Sequence, residues 1–170
     1  MSFWDLFSNK NETKKDQTSL YYKVKENFPH FNDEQLTRVT GISGLLARVA
    51  YVDFHFDPKE KIHMHKALTE MTNFTNEEIT SITDLSVKYI KELAGLENHK
   101  LVHSLKEVLD RNSRYDLVQA LFYLAASDGV VENIESEEIR IIVKGLDLSD
   151  KHFLAARAKV SDKLKALNIK

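Results

Sequence analysis

Residues 120–146 read ALFYLAASDGVVENIESEEIRIIVKGL, and in this stretch two apolar segments flank an acidic turn. On both sides of the turn the apolar residues recur at spacings of three and four, which is the period of an amphipathic helix. They are Leu121, Phe122 and Ala125 before the turn, and Ile139, Ile142 and Val143 after it. Gly129 interrupts the pattern, and Ser136 with Glu137 and Glu138 is typical of a helix start. The stretch therefore predicts two helices joined by a short acidic loop.

The same helical spacing continues along most of the chain. Asn32 with Gln35, and Thr75 with Glu78, form capping boxes, and Asp57 before Pro58 is a further helix-start signal. Only 5 Gly and 2 Pro occur in 170 residues, and the two-residue alternation of strands is not evident. We expect an all-α fold, a single-domain bundle of roughly seven to eight helices over residues 17–170. Residues 1–16 are polar and aperiodic, which predicts a flexible N-terminal arm.

The composition excludes several classes of protein. There is no cysteine, so disulfides, thiolate catalysis and Cys-ligated zinc are ruled out. The net charge is -2 with acids and bases intermixed, which argues against binding of nucleic acid. No apolar run approaches the roughly 18 residues of a membrane span, and the first residues lack the pattern of a signal peptide. We therefore expect a cytoplasmic protein.

An internal repeat relates residues 120–146 to residues 45–68, LLARVAYVDFHFDPKEKIHMHKAL. In each copy an apolar helix ends in Ala-x-x-Asp, an acidic loop follows, and a second helix begins with Glu. With Asp53 aligned to Asp128, the best match for Glu60 is Glu138, so the second copy has about three extra residues. The repeat predicts internal pseudo-symmetry, with carboxylates at the same kind of helix–loop–helix corner in both halves.

These residues resemble the TerB-like domain of tellurite-resistance and related bacterial stress proteins. The resemblance rests on AASDGVVENIESEEIRIIVKGLDLSDKHFLAAR, residues 125–157, and on SRYDLVQALFYLA before it, and it extends over residues 40–160. In the first copy, VDFHFDPKE keeps the acids but has Phe54 where the family usually has glycine. The resemblance implies an all-helical domain with pseudo-symmetry, a role in metal-ion or toxic-anion stress, and a candidate cation site at the acidic turns. It implies no reaction.

The acidic turns suit a hard divalent cation, with Ca²⁺ or Mg²⁺ favoured, because they offer carboxylate and carbonyl oxygens without sulfur or imidazole. The main candidate ligands precede the predicted helix, and a second, weaker set has the same spacing, Asp-x3-acid-x2-Glu. The main set is Asp128, Glu132 and Glu135, and the weaker set is Asp53, Asp57 and Glu60. The turn is not an EF-hand, since its sixth position is Asn133 and its twelfth is Ile139.

Helix capping is the competing interpretation of these acids. Carboxylates at a helix N-terminus stabilise it by about 0.3–1 kcal/mol each. Capping explains Asp57 and Glu60, and also Glu137 and Glu138, without any ligand. It leaves Asp128, Glu132 and Glu135 less well explained, and both interpretations stay open for them.

No pattern in the chain indicates an enzyme. Neither a Gly-x-Ser-x-Gly nucleophile turn nor a Gly-rich phosphate loop with Lys is present. His99 and His103, four residues apart with Glu107 one turn further, offer a weaker metal-binding set. We expect a non-catalytic protein.

The aromatic residues Phe3, Trp4 and Phe7 of the N-terminal arm suggest a contact surface. They can dock on the body of the protein, on a protein partner or on a membrane surface. Two functions follow from the sequence. One is a cation-responsive protein of bacterial stress or tellurite and metal-ion response, and the alternative is a metal-independent helical adaptor that binds a partner protein or, peripherally, a membrane.

Overall fold

The computed structural model describes residues 17–96 and 98–168, and within these ranges the chain forms nine helices and no strand. The helices are α1 (Ser19–Asn27), α2 (Asp33–Ala50), α3 (Pro58–Met71), α4 (Asn76–Lys88), α5 (Ile90–Gly95), α6 (Asn98–Val108), α7 (Arg111–Ala125), α8 (Asn133–Gly145) and α9 (Asp150–Asn168). The all-α, single-domain prediction is confirmed. The predicted arm, residues 1–16, lies outside the described residues, so the expectation for it stays a prediction.

The described part has one helix more than the sequence predicts because the segment between Thr75 and Gly95 is two helices. The break falls at Tyr89, which ends α4 and precedes α5. The sequence gives no warning of this break, since neither Gly nor Pro stands there. The short helix α5 packs against α2 and buries Ile90 and Leu93 in the core.

The predicted helix starts at Asn32 and Thr75 are confirmed by side-chain hydrogen bonds. The Gln35 N–H donates to Asn32 Oδ1 at 2.8 Å, and the Asn32 N–H donates to Gln35 Oε1 at 2.9 Å. Thr75 and Glu78 form the same reciprocal pair at the start of α4. Each pair satisfies two N–H groups that would otherwise have no partner in the first turn of a helix.

The internal repeat organises the core of the bundle. Helix α2 leads to α3 in the first half, as α7 leads to α8 in the second, and α2 and α7 pack against each other. Each second helix also crosses to the opposite half, since α3 packs on α7 and α8 packs on α2. Fully buried Leu46 on α2 and Leu121 on α7 occupy equivalent positions at this centre. This exchange brings the two acidic corners to the same region of the molecule.

No helix in the described part of the chain combines the length and the apolar character that a bilayer span requires.

Candidate functional site

The two acidic corners, residues 53–60 and residues 128–135, have the same design and the same length. Helix α3 starts after Asp57 and has Glu60 as its third residue, while α8 starts after Glu132 and has Glu135 as its third residue. Glu60 therefore corresponds to Glu135. The predicted match of Glu60 to Glu138, and the extra residues that it required, are wrong.

The first aspartate of each corner folds back on its own turn. Oδ1 of Asp53 accepts a hydrogen bond from the His55 N–H at 2.8 Å, and Oδ1 of Asp128 accepts one from the Val130 N–H at 3.0 Å. The residue that follows each aspartate has a positive φ, 64° at Phe54 and 99° at Gly129. This left-handed step is what directs the chain from one helix into the next.

The helix-start acids are also equivalent in the two corners. The Asp57 N–H donates to Oε2 of Glu60 at 2.7 Å, and the Glu132 N–H donates to Oε2 of Glu135 at 2.8 Å. The prediction that Glu132 and Glu135 precede their helix is wrong, since they are its cap and its third residue. Ser136, which the sequence suggested as the start, is buried within α8.

Glu60 and Glu135 have strongly perturbed pKa values. Burial is the main cause for Glu60, and the negative charges of Glu135, Asp53 and Asp57 add to it, so that its pKa rises to about 7. Burial is again the main cause for Glu135, and its pKa also rises to about 7. In both cases the N–H of the capping residue opposes the rise.

The six carboxylates that the sequence singled out form one electrostatic cluster. The charges of Glu132, Asp128 and Asp53 all raise the pKa of Glu135. Asp53 acts on the glutamate of its own corner and on that of the other corner, and Glu135 acts on Glu60. The two candidate sets are thus far apart in the sequence but close together in the structure.

The arrangement of donors bears on what cation the cluster can take. The donors are all oxygens, which suits Ca²⁺ or Mg²⁺. Among the described residues, however, no three His, Asp or Glu side chains stand in an arrangement that could hold a metal ion. Asp53, Asp128, Glu60 and Glu135 each direct one oxygen to a backbone N–H, as described above. Coordination by three of the six would require some of these side chains to turn.

The weaker histidine set has no metal-binding geometry either within the part of the chain that is described. His103 Nε2 lies 3.7 Å from Glu107 Oε1, and both side chains are largely exposed. An exposed pair at this spacing on a helix contributes little to stability.

A buried ion pair behind the first corner was not predicted. Oε1 of Glu138 accepts hydrogen bonds from Arg48 Nε and from Asn98 Nδ2, and the Asn98 contact is 2.6 Å. Arg48 also donates to the carbonyls of Ala94 and Leu96. Glu138 therefore links α8 to α2 and to the α5–α6 connection, and its interpretation as a helix-start residue is wrong. The sequence feature that could have indicated this ion pair is Arg48, a charged residue within the apolar run of α2.

Glu137, its neighbour, faces solvent and lies 3.7 Å from Arg140. It is also too far along α8 to be a helix-start residue.

Comparison with known proteins gives one family. The family model of tellurite resistance protein TerB matches residues 39–158, a range that begins within α2, ends within α9 and contains both corners. No curated protein and no solved structure matches the chain.

Proposed function

The chain belongs to the TerB family, and from this premise we propose that it acts without catalysis in a bacterial response to tellurite or metal-ion stress. In this proposal its two acidic corners take up a divalent cation, Ca²⁺ or Mg²⁺, through Asp128, Glu132 and Glu135 with Asp53, Asp57 and Glu60. The family description supports the link to tellurite resistance. The acidic cluster supports the cation.

The observation that carries the cation proposal is that an acid of each corner acts on the glutamate of the other. The charge of Glu135 raises the pKa of Glu60, the charge of Asp53 raises the pKa of both glutamates, and both pKa values are about 7. A group of like charges that is partly withdrawn from water is stabilised by an added cation, which favours the ionised form of each acid. Capping alone requires no such convergence of two corners.

A cation bound there would act on the fold as a whole. The first corner joins α2 to α3, and the second joins α7 to α8, so a shared ion would hold four central helices in one arrangement. The rigidity of the two corners would then depend on the cation concentration. A surface that includes them would present a different shape to a partner in the two states.

Thermal unfolding with and without millimolar Ca²⁺, Mg²⁺, Mn²⁺ or Zn²⁺ tests the proposal. A ligand that binds only the folded state stabilises it by about 2.7 kcal/mol at 100 times its Kd. We expect Ca²⁺ or Mg²⁺ to raise the Tm of the wild type at pH 8, and we expect Asp128→Asn with Glu132→Gln to abolish that shift. Absence of a shift with every cation would contradict the proposal.

A matched control separates a site from general screening of charge. Glu26→Gln with Glu34→Gln also removes two carboxylates, but from surface ion pairs with Lys23 on α1 and with Arg38 near the start of α2, the end of that helix opposite to the first corner. We expect this variant to keep the full cation-induced shift in Tm. An equal loss of the shift in both double variants would show that no specific site exists.

The second candidate function is metal-independent binding of a partner protein or a membrane surface. Two exposed apolar residues, Ile134 and Ile141, favour it because their spacing places them on one face of α8. The aromatic residues of the arm, Phe3, Trp4 and Phe7, would add to such a surface. Deletion of residues 1–10, followed by pull-down and liposome-binding assays, tests the arm. Unchanged binding would show that the arm does not contribute to this function.

A further inference from the structure

A cavity of about 540 Å³ lies beside the second corner, between α3, α7 and α9. Buried Ala67, Ala126 and Val160 line its inner part, and the partly exposed Leu164 extends the apolar wall. Sites for small molecules in proteins commonly have volumes of about 300–1,000 Å³ and a mostly apolar lining with a few polar groups. The size and the lining of this cavity fit that description.

Charged side chains of both signs lie at the mouth of the cavity. Lys66 and Lys163 line the cavity and are exposed, and the half-buried His63 also lines it. Two acids share the rim: Glu70, 3.8 Å from the Lys66 ammonium, and Asp128. Burial lowers the pKa of His63, and the positive charges of Lys66 and Lys163 lower it further. Among the charged groups of this lining, the two lysines are therefore the ones whose charge acts on His63.

The internal repeat shows how the equivalent place in the first half is filled. Arg48 occupies the position of Tyr123, and Glu138 occupies that of His63. Their ion pair occupies much of the space, and the remaining cavity, where Phe54 replaces Gly129, is only about 210 Å³. In the second half no such pair forms, and the Lys163 ammonium lies 4.7 Å from the centroid of the Tyr123 ring.

We propose that this cavity binds a small amphipathic anion, a carboxylate on an apolar chain. The carboxylate would lie between Lys66 and Lys163 within reach of His63, and the apolar chain would cover Ala67, Ala126 and Val160. Charge-assisted hydrogen bonds from two ammonium groups fix the head group, and burial of the chain supplies the remaining affinity. This proposal does not rest on a cation at the acidic corners, although Asp128 belongs to the rim of the cavity and to the second corner.

Methyl NMR of alanine-labelled protein, recorded with a metal chelator present, tests it. The probes are octanoate, octanol with the same chain but no charge, and acetate with the charge but no long chain. We expect octanoate to shift the methyl signals of Ala67, Ala120 and Ala126, which all line the cavity. We also expect it to bind at least about tenfold more tightly than either control ligand, a difference of about 1.4 kcal/mol.

Surface variants identify the head-group contacts without altering the core. Lys66→Met with Lys163→Met should weaken octanoate binding by about tenfold or more and leave octanol binding unchanged. Lys91→Met, which removes a lysine from the lining of the smaller first-half cavity, should leave octanoate binding unchanged. Equal affinities for octanoate and octanol, an unaffected double-lysine variant, or shifts only at alanines outside the cavity would each overturn the proposal.

Grafting the first-half pair into the second half gives an independent test. Tyr123→Arg with His63→Glu places at the cavity the two residue types that fill its counterpart. We expect this variant to lose octanoate binding while it keeps a cooperative thermal transition. If it folds and still binds octanoate with wild-type affinity, the volume beside His63 is not the binding site.

Discussion

The first acidic corner has Phe54 where the second has Gly129, yet both follow the same path. Phe54 takes a positive φ, its side chain is 81% exposed, and its ring lies edge-on to that of Tyr51. Both corners have an aspartate that accepts a hydrogen bond from the backbone N–H two residues later. Both also have a pair of acids at the start of the following helix. These side-chain bonds, rather than a glycine, thus specify the corner.

Behind the shared turns the two halves differ in their interior. The first corner rests on Arg48, whose guanidinium joins Glu138 to the carbonyls of Ala94, near the end of α5, and of Leu96, which follows α5. The second has Tyr123 and His63 at the same positions and leaves a cavity there. The first half of the repeat is therefore braced by an ion pair, and the second half has a cavity in the equivalent place. The proposed cation site lies at the corners, and the proposed anion site lies in this cavity.

Arg48→Met should have the largest effect on stability, because it removes the brace of the first half. The change leaves the Glu138 carboxylate buried without its charged partner, and it frees the carbonyls of Ala94 and Leu96. Breaking a buried pair in this way typically costs about 3–5 kcal/mol. Urea unfolding at pH 7 measures the loss as a lower midpoint at constant slope.

The control for Arg48→Met is Lys61→Met. It removes a cation from an ion pair with Asp84 in which both side chains are about half exposed. Such a pair contributes about 1 kcal/mol or less. A similar small effect of Arg48→Met would show that the first half does not depend on its brace.

Glu60→Gln with Glu135→Gln should give the next largest effect, and in the stabilising direction. Glutamine keeps the acceptor for the capping N–H but has no charge. Both pKa values are raised to about 7, so the folded state gains stability from protonation that is fully present below about pH 4.5 and is lost as the pH rises through 7. At pH 8 the double variant should be more stable than the wild type by about 2 kcal/mol, after allowance for solvent screening.

The pH dependence is the critical measurement for this pair. Thermal melts at pH 4.5 and pH 8 should show a difference in Tm between variant and wild type only at the higher pH. Added Ca²⁺ at pH 8 should bring the wild type closer to the variant if the corners bind it. A variant that is equally stabilised at both values of pH would show that ionisation is not the cause.

The helices could be predicted from the sequence because their starts depend on contacts within four residues. Asn32 with Gln35 and Asp57 with Glu60 are recognisable pairs, and the structure forms both. The start of α8 was missed because its cap is Glu132, an unusual residue there, while Ser136 offered a more familiar signal inside the helix.

The site was only partly predictable for a different reason. All six corner acids were identified, because their spacing repeats along the chain. Their convergence was not, since it depends on α3 crossing to α7 and α8 crossing to α2. The pair of Arg48 and Glu138 spans 90 residues of sequence, and only the tertiary packing brings its two members together.

Gly129→Ala tests the need for glycine in the second corner, with an effect smaller than that of the glutamates. The φ of 99° is unfavourable for a side chain with Cβ, although no atom would lie within 4 Å of that Cβ. We expect a loss of about 1 kcal/mol in urea unfolding. Gly95→Ala, also without a neighbour within 4 Å and with an ordinary φ, should cost nothing. Equal effects would show that backbone conformation is not the cause.

Phe54→Gly is the reverse change in the first corner and should have the smallest effect, a gain of about 0.5 kcal/mol. Glycine accepts a φ of 64° without strain, while loss of a mostly exposed ring removes little burial. The gain is smaller than the loss at Gly129 because a φ of 64° lies in the small left-handed region that other residues can adopt, whereas 99° lies outside it. In a chain of this length it corresponds to a rise in Tm of about 1–2 °C by calorimetry. A fall in Tm would mean that Phe54 stabilises the corner through its contact with Tyr51.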